Sequence, residues 1–415
     1  MPETPPASIR RIFTRFKVIA ARVHITGPDD YYGDKDDCDN AGDHFGRAFA
    51  ALQTTDRWDN VEDLTLFIHC AKNVPTRLPA RLRRLTVVDI ALDTRRRELC
   101  GVADNEERGA HGITPSADGG IDEGAGYINV FQDYDFINWI LPQLPRSLED
   151  LCLSRSGIRS LTGPLPQNLR TLALGPKFTG PLEDLPATLR KMCIGGHFNT
   201  AIHVLPAGLT HFTAFETREY CWFEQPLGAL PAAMRVLDIA ASTYFNSPLG
   251  ELPPTLQVLR VGQRFDQPLG ALPNGLEVLV FAHRALFNQP LGPLPHSLQE
   301  LEFHQYARFD QPLGRLPHSL RVLEFHIHAV FNQPLDVLPE SLRVLKFMGY
   351  TRFSQQLPRL PDCLRELTMS GDSYYLNNVV HGLPPSVVKF IGNRGMKCPP
   401  SFDRSGDAIT EPARR

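Results

Sequence analysis

Phe287-Asn288-Gln289-Pro290-Leu291-Gly292-Pro293-Leu294-Pro295-His296-Ser297-Leu298, then Leu301 and Phe303, is followed one unit later by Phe309-Asp310-Gln311-Pro312-Leu313-Gly314-Arg315-Leu316-Pro317-His318-Ser319-Leu320, then Leu323 and Phe325. Working outward, the Leu-Pro pair recurs with its proline at 145, 166, 186, 206, 231, 253, 273, 295, 317, 339, 361 and 384, most often 22 residues apart. An earlier copy ends at Pro79, which is 66 residues, or three such periods, before Pro145. A phenylalanine stands eight residues before the proline nine times: Phe178, Phe198, Phe223, Phe245, Phe265, Phe287, Phe309, Phe331 and Phe353. Self-similarity at a fixed period of this size is the mark of a stacked-repeat architecture.

Each Leu-Pro is followed by L-x-x-L-x-L, as in Leu320-Arg321-Val322-Leu323-Glu324-Phe325. Apolar positions 4 and 6 around a variable position 5 give the period of a short strand with one buried face. One strand per 22 residues is too sparse for hairpins, so the units stack side by side into a parallel sheet whose inward Leu and Phe form a continuous core. The proline-rich return arm favours extended geometry over helix. A short polar residue follows the phenylalanine at Asn199, Asn246, Asp266, Asn288, Asp310, Asn332 and Ser354, and follows Leu376 at Asn377, where it can bond backbone groups in the bend of an adjacent unit. The nine phenylalanines are thus read as core, and Asn199, Asn246, Asn288 and Asn332 as structural partners of the bend.

The string F-N-x-P-L-x-x-L-P-x-S-L-x-x-L-x-F resembles the FNIP repeat, a relative of leucine-rich repeats found in amoebae and in giant viruses that infect them. The likeness covers roughly residues 137–392, with looser copies at 61–87. The LPxSLxxLxL part is also similar to the proline-rich leucine-rich repeats of bacterial effectors. The resemblance implies a mainly β, leucine-rich-repeat-like solenoid of about 14 short parallel strands, and a protein-interaction module in the cytoplasm, the host's if the protein is viral. Relatives often carry an N-terminal F-box, which implies the alternative of a ubiquitin-ligase substrate receptor docking a Skp-like adaptor. Here Pro6 to Phe16 only faintly echoes an F-box, and the helical leucine pattern that should complete one is missing.

Composition agrees with a folded, non-helical chain. Of 415 residues 36 are proline, and each proline inside a helix costs about 3 kcal/mol. Charges nearly cancel at −3, so no basic field recruits nucleic acid or anionic membrane. No apolar run approaches a membrane span, and the eight cysteines contain no C-x-x-C pair, which fits a reducing compartment. Residues 1–60 read as a small α/β cap with a strand near 18–25 and a helix from Asp43 to Leu52, residues 61–392 as the solenoid, and residues 393–415 as a polar tail. An acidic loop at 29–43 lacks the twelfth-position glutamate of an EF-hand and reads as solvated. Residues 100–126, rich in glycine and acid, read as a flexible insertion that replaces or interrupts two repeats.

No Walker loop, G-x-G-x-x-G, H-E-x-x-H or G-x-S-x-G is present, and no catalytic residue or cofactor is expected. Glu302 with His304, and Glu324 with His326, fall at equivalent outward positions of neighbouring strands about 4.8 Å apart. Two carboxylates and two imidazoles could ligate zinc. The alternative, which the sequence favours, is that duplication copied a Glu–His pair lining a polar groove. The outward columns point more to a partner protein. Position 3 carries Val236, Val258, Val278, Glu300, Val322 and Val344, and position 5 carries Asp238, Arg260, Val280, Glu302, Glu324 and Lys346. An apolar stripe beside mixed charge marks a binding surface with its own specificity.

Overall fold

The computed structural model describes residues 22–25, 56–68, 77–89, 144–161, 164–182, 185–215, 221–369 and 384–391. The chain forms two compact units, residues 1–168 and 169–415. The expected helix at 43–52, the acidic loop, the 100–126 insertion, Asn377 and the tail lie outside the described residues, as does all of the 1–60 cap apart from 22–25 and 56–60.

Among the described residues the first unit holds four parallel strands in sequence order, β1 (Arg22–Ile25), β2 (Asp63–Ile68), β3 (Arg84–Asp89) and β4 (Asp150–Arg155). Strand β1 pairs with β2 from Arg22↔Asp63 to Ile25↔Leu66, which makes it a rung of the sheet. The single-turn helix α1 (Asp56–Asp59) sets Trp58 fully into the core beside Val61 and Leu64. The Trp58 indole donates to the Arg77 carbonyl at 3.2 Å, and the Arg77 guanidinium grips the Asp59 carboxylate, tying α1 to the next return arm. That grip holds the Asp59 carboxyl below its ordinary pKa. Strand β3 pairs directly with β4 (Leu85↔Leu151), so no rung stands between them across the long intervening segment.

The described residues of the second unit form eleven parallel strands in unbroken order: β5 (Thr171–Ala173), β6 (Lys191–Gly195), β7 (His211–Phe215), β8 (Val236–Asp238), β9 (Val258–Val261), β10 (Val278–Phe281), β11 (Glu300–Phe303), β12 (Val322–Phe325), β13 (Val344–Phe347), β14 (Glu366–Met369) and β15 (Lys389–Ile391). The sheet is a parallel solenoid ladder in which equivalent repeat positions face one another, as in Leu301↔Leu323 and Phe303↔Phe325. Local chemistry explains the repeat. Pro295 cannot donate a backbone hydrogen bond, and its carbonyl accepts from Leu298 at 3.1 Å, closing the turn that starts the strand. The Ser297 hydroxyl donates to the Leu276 carbonyl of the preceding unit at 2.6 Å, and Ser319, Ser341 and Ser386 each donate in the same way to the unit before their own. Along β9, β11, β12 and β13 the burial alternates strictly, with positions 4 and 6 inward and 3 and 5 half-exposed.

The nine register phenylalanines are all buried and form one column. Successive rings sit 5.8 to 6.2 Å apart from Phe178 to Phe353. At the bend, side-chain oxygens bind the next unit's backbone. Asn246 Oδ1 accepts the Asp266 amide at 2.9 Å, Asp266 the Asn288 amide at 2.9 Å, Asn288 the Asp310 amide at 2.8 Å, Asp310 the Asn332 amide at 2.8 Å, and Asn332 the Ser354 amide at 2.7 Å. Asn199 accepts the Glu224 amide in the same way. Each of these amides would otherwise depend on water alone; a net contribution of about 0.5–1.5 kcal/mol per bond is the usual range.

Candidate functional site: the outward face of the sheet

The register that buries positions 4 and 6 necessarily brings positions 3 and 5 of successive units together on the other face. Val236, Val258, Val278, Glu300, Val322 and Val344 form one column through Val236↔Val258, Val258↔Val278, Val278↔Glu300, Glu300↔Val322 and Val322↔Val344. All six are half-buried, so the valine stripe is partly presented to solvent. Within the position-5 column the Arg260 guanidinium reaches Asp238 at 3.3 Å. Val280 differs from its neighbours there: it is 4% exposed, flanked in register by the longer side chains of Arg260 and Glu302. Long charged residues cover apolar surface with their stems.

Further along the face, Lys346 Nζ lies 3.1 Å from Glu324 Oε1 and 3.2 Å from Glu366 Oε2, and Lys389 reaches Glu366 at 3.6 Å. Burial alone would raise the Glu324 pKa, but His326 and Lys346 beside the carboxylate bring it below its ordinary value. Burial likewise opposes the charge on Lys346, and the two glutamates overcome it and hold the pKa above the ordinary lysine value.

Glu302 and His304 meet at 3.0 Å, and His326 Nε2 lies 3.2 Å from Glu324 Oε2. The two imidazole centroids are 4.6 Å apart. Glu302, His304 and His326 each offer one donor atom, the three within 4.8 Å of one another. Glu324, the fourth candidate, lies outside that group and is engaged by Lys346.

Beyond the strand ends runs a column absent from the sequence reading. Arg284, Tyr306, His328 and Tyr350 occupy left-handed backbone, with φ of 58°, 62°, 61° and 57°. In each of the first three, the residue that follows donates back to the carbonyl two before it (Ala285 to Ala282, Ala307 to His304, Ala329 to His326), a type II-like turn in which glycine is usual. The three rings Tyr306, His328 and Tyr350 stack nearly parallel at 4.5 and 4.9 Å, and Arg284 lies over Tyr306. Tyr306 is 40% and Tyr350 55% exposed. No sequence signal marks this column, because the residues at the turn are not the glycine or asparagine that betray positive φ.

In the first unit, a shallow depression over β2 to β4 is lined by Asp63, Thr65, Arg84, Thr86, Asp150 and Cys152, with Arg84 paired to Asp63 at 3.2 Å. Cys221 is buried, and desolvation raises its thiol pKa above the ordinary value. Among the described residues no helix is long and apolar enough to cross a membrane.

Residues 287–328 match the FNIP Repeat family. No curated protein sequence matches the chain. Among solved structures, the chain is similar to CroV588, a circular leucine-rich-repeat (LRR) protein, at 27% identity and a TM-score of 0.47. It is also similar to YopM from Yersinia enterocolitica (25%, 0.42) and to YopM from Yersinia pestis, a leucine-rich effector protein (20%, 0.40). Each alignment covers 60% of this chain, and 44%, 56% and 68% of the respective solved chains, so the match to the first two spans about half their length. The stretch that matches the FNIP Repeat family, from Phe287 to His328, contains the paired strands β11 and β12.

Proposed function

We propose that the protein is a non-catalytic interaction scaffold and that a partner protein binds the outward face of β8 to β13. The observation that carries this reading is the half-exposed valine column of Val236, Val258, Val278, Val322 and Val344 lying in register beside the mixed charges Asp238, Arg260, Glu302, Glu324 and Lys346. An apolar stripe supplies affinity through desolvation, and the flanking charges select among partners by complementarity. The repeat architecture supports it further, since a scaffold held by inward residues leaves the outward ones free to vary.

The test compares the wild-type chain with Val322→Lys plus Glu324→Lys, and independently with Val258→Lys plus Arg260→Glu. Partners recovered with the wild type are produced recombinantly and their affinity for each variant is measured. Binding weakened at least tenfold in either variant, with circular dichroism and melting behaviour retained, supports the reading. Affinity unchanged in both variants contradicts it.

A further inference from the structure

We propose that Glu302, His304 and His326 form a binding site for a divalent metal ion of the zinc class on the outward face of β11 and β12. The site stands without the interface reading above.

Four observations converge. First, the donor set is right: one carboxylate and two imidazoles is a recurrent three-residue zinc set, with a fourth position left open. Second, the geometry is close. The three donor atoms lie within 4.8 Å of one another, and Glu302 Oε2 is already 3.0 Å from His304 Nε2. Tetrahedral zinc with bonds of about 2.0–2.1 Å wants its ligands about 3.4 Å apart, a closure that side-chain rotation supplies. Strand pairing fixes the backbone beneath, with Glu302 directly opposite Glu324.

Third, the charges around the site are incompletely met. Glu302 and Glu324 face each other as like charges on adjacent strands, which by itself destabilises a sheet. Of these two, Lys346 pairs with Glu324 and not with Glu302. Among the described residues, Glu302 makes its one ion pair with His304, which is charged only when protonated. The Nε2 atom of His326 is shielded from solvent and has no aligned hydrogen-bond partner, although Glu324 Oε2 lies 3.2 Å away. A cation between Glu302 and the two rings would meet both deficits at once.

Fourth, the arrangement is local. The units on either side place Val280 and Ala282, and Lys346 and Met348, where these two place Glu-x-His. The ladder therefore folds with other residues at these positions, and the pair of Glu–His rungs is not a requirement of stacking. Nitrogen donors point to zinc and not to calcium or magnesium, which prefer all-oxygen shells. The open fourth position takes water or a side chain from another molecule.

The experiment uses the full chain, reduced and stripped of metal, titrated with Zn²⁺ by calorimetry and with Co²⁺ by absorption. The expected result is one saturable site, with cobalt ligand-field bands of a nitrogen–oxygen environment and no thiolate charge-transfer band. His304→Ala, His326→Ala and the near-isosteric Glu302→Gln should each weaken binding at least tenfold and abolish the bands, while the exposed His318→Ala should change nothing. Absence of saturable binding overturns the proposal. So does a thiolate band, which would place the ion on cysteine, or equal affinity in the His318 variant and the three site variants.

Discussion

Two stretches of the second unit turn their bends differently. Between β9 and Phe265 lie three residues, 262–264, whereas between β10 and Phe287 lie five, 282–286, and the same five-residue length recurs before Phe309, Phe331 and Phe353. In the short bend the strand ends in Val261, and Gly262 passes so close to the preceding unit that an added Cβ would stand 2.2 Å from the Ser242 carbonyl oxygen. In the long bends the strands end in Phe281, Phe303, Phe325 and Phe347, and these form a second aromatic column with ring spacings of 4.9 to 5.1 Å. Each packs against the register phenylalanine of its own unit at 4.0 to 4.5 Å. Two additional residues in the bend thus coincide with a core one ring wider, and with the left-handed residue that turns the chain around it.

The largest effect should come from removing a ring where the two columns meet. Phe303→Ala, at 0% exposure and stacked on Phe281, Phe309 and Phe325, is expected to cost about 3–5 kcal/mol by denaturant unfolding. The converse change, Val261→Phe, inserts a ring into the short bend and should destabilise by about 1–3 kcal/mol, since close-packed cores resist extra volume. If Val261→Phe were neutral or stabilising, bend length would not be what limits the core. A smaller effect is expected in the turn itself. At His328, whose φ is 61°, glycine should be better tolerated than alanine by about 1 kcal/mol, read as the difference between the melting curves of His328→Gly and His328→Ala. Equal stability would mean that the left-handed turn relaxes when the stacked ring is removed.

The period, the strand at L-x-x-L-x-L and the inward phenylalanine were legible because each follows from a spacing repeated many times over. The bend asparagines were legible for the same reason, although their partner, the amide at the equivalent position of the next unit, emerges only from the register. Ser297, Ser319 and Ser341 recur just as faithfully, yet a serine after Leu-Pro does not reveal that its hydroxyl reaches back to a carbonyl 21 residues earlier. The Arg284–Tyr306–His328–Tyr350 column was not legible at all, since nothing in arginine, tyrosine or histidine announces positive φ. On the outward face the Val and charge columns could be written from sequence, but the burial of Val280 depends on its taller neighbours, and the approach of His304 to His326 on side-chain orientation. The choice between a copied Glu–His pair and a metal site turns on those contacts and not on the repeat.

The central claim is that each unit completes the hydrogen bonding of the next. Amide hydrogen exchange tests it most directly at Asp266, Asn288, Asp310, Asn332 and Ser354, whose N–H groups are held by the side-chain oxygens of Asn246, Asp266, Asn288, Asp310 and Asn332. These five amides should exchange far more slowly than in the unfolded chain, and replacing Asp310 with alanine should release Asn332 while leaving Asn288 protected. Exchange of all five at unfolded-chain rates, in a protein whose strand amides remain protected, would contradict it.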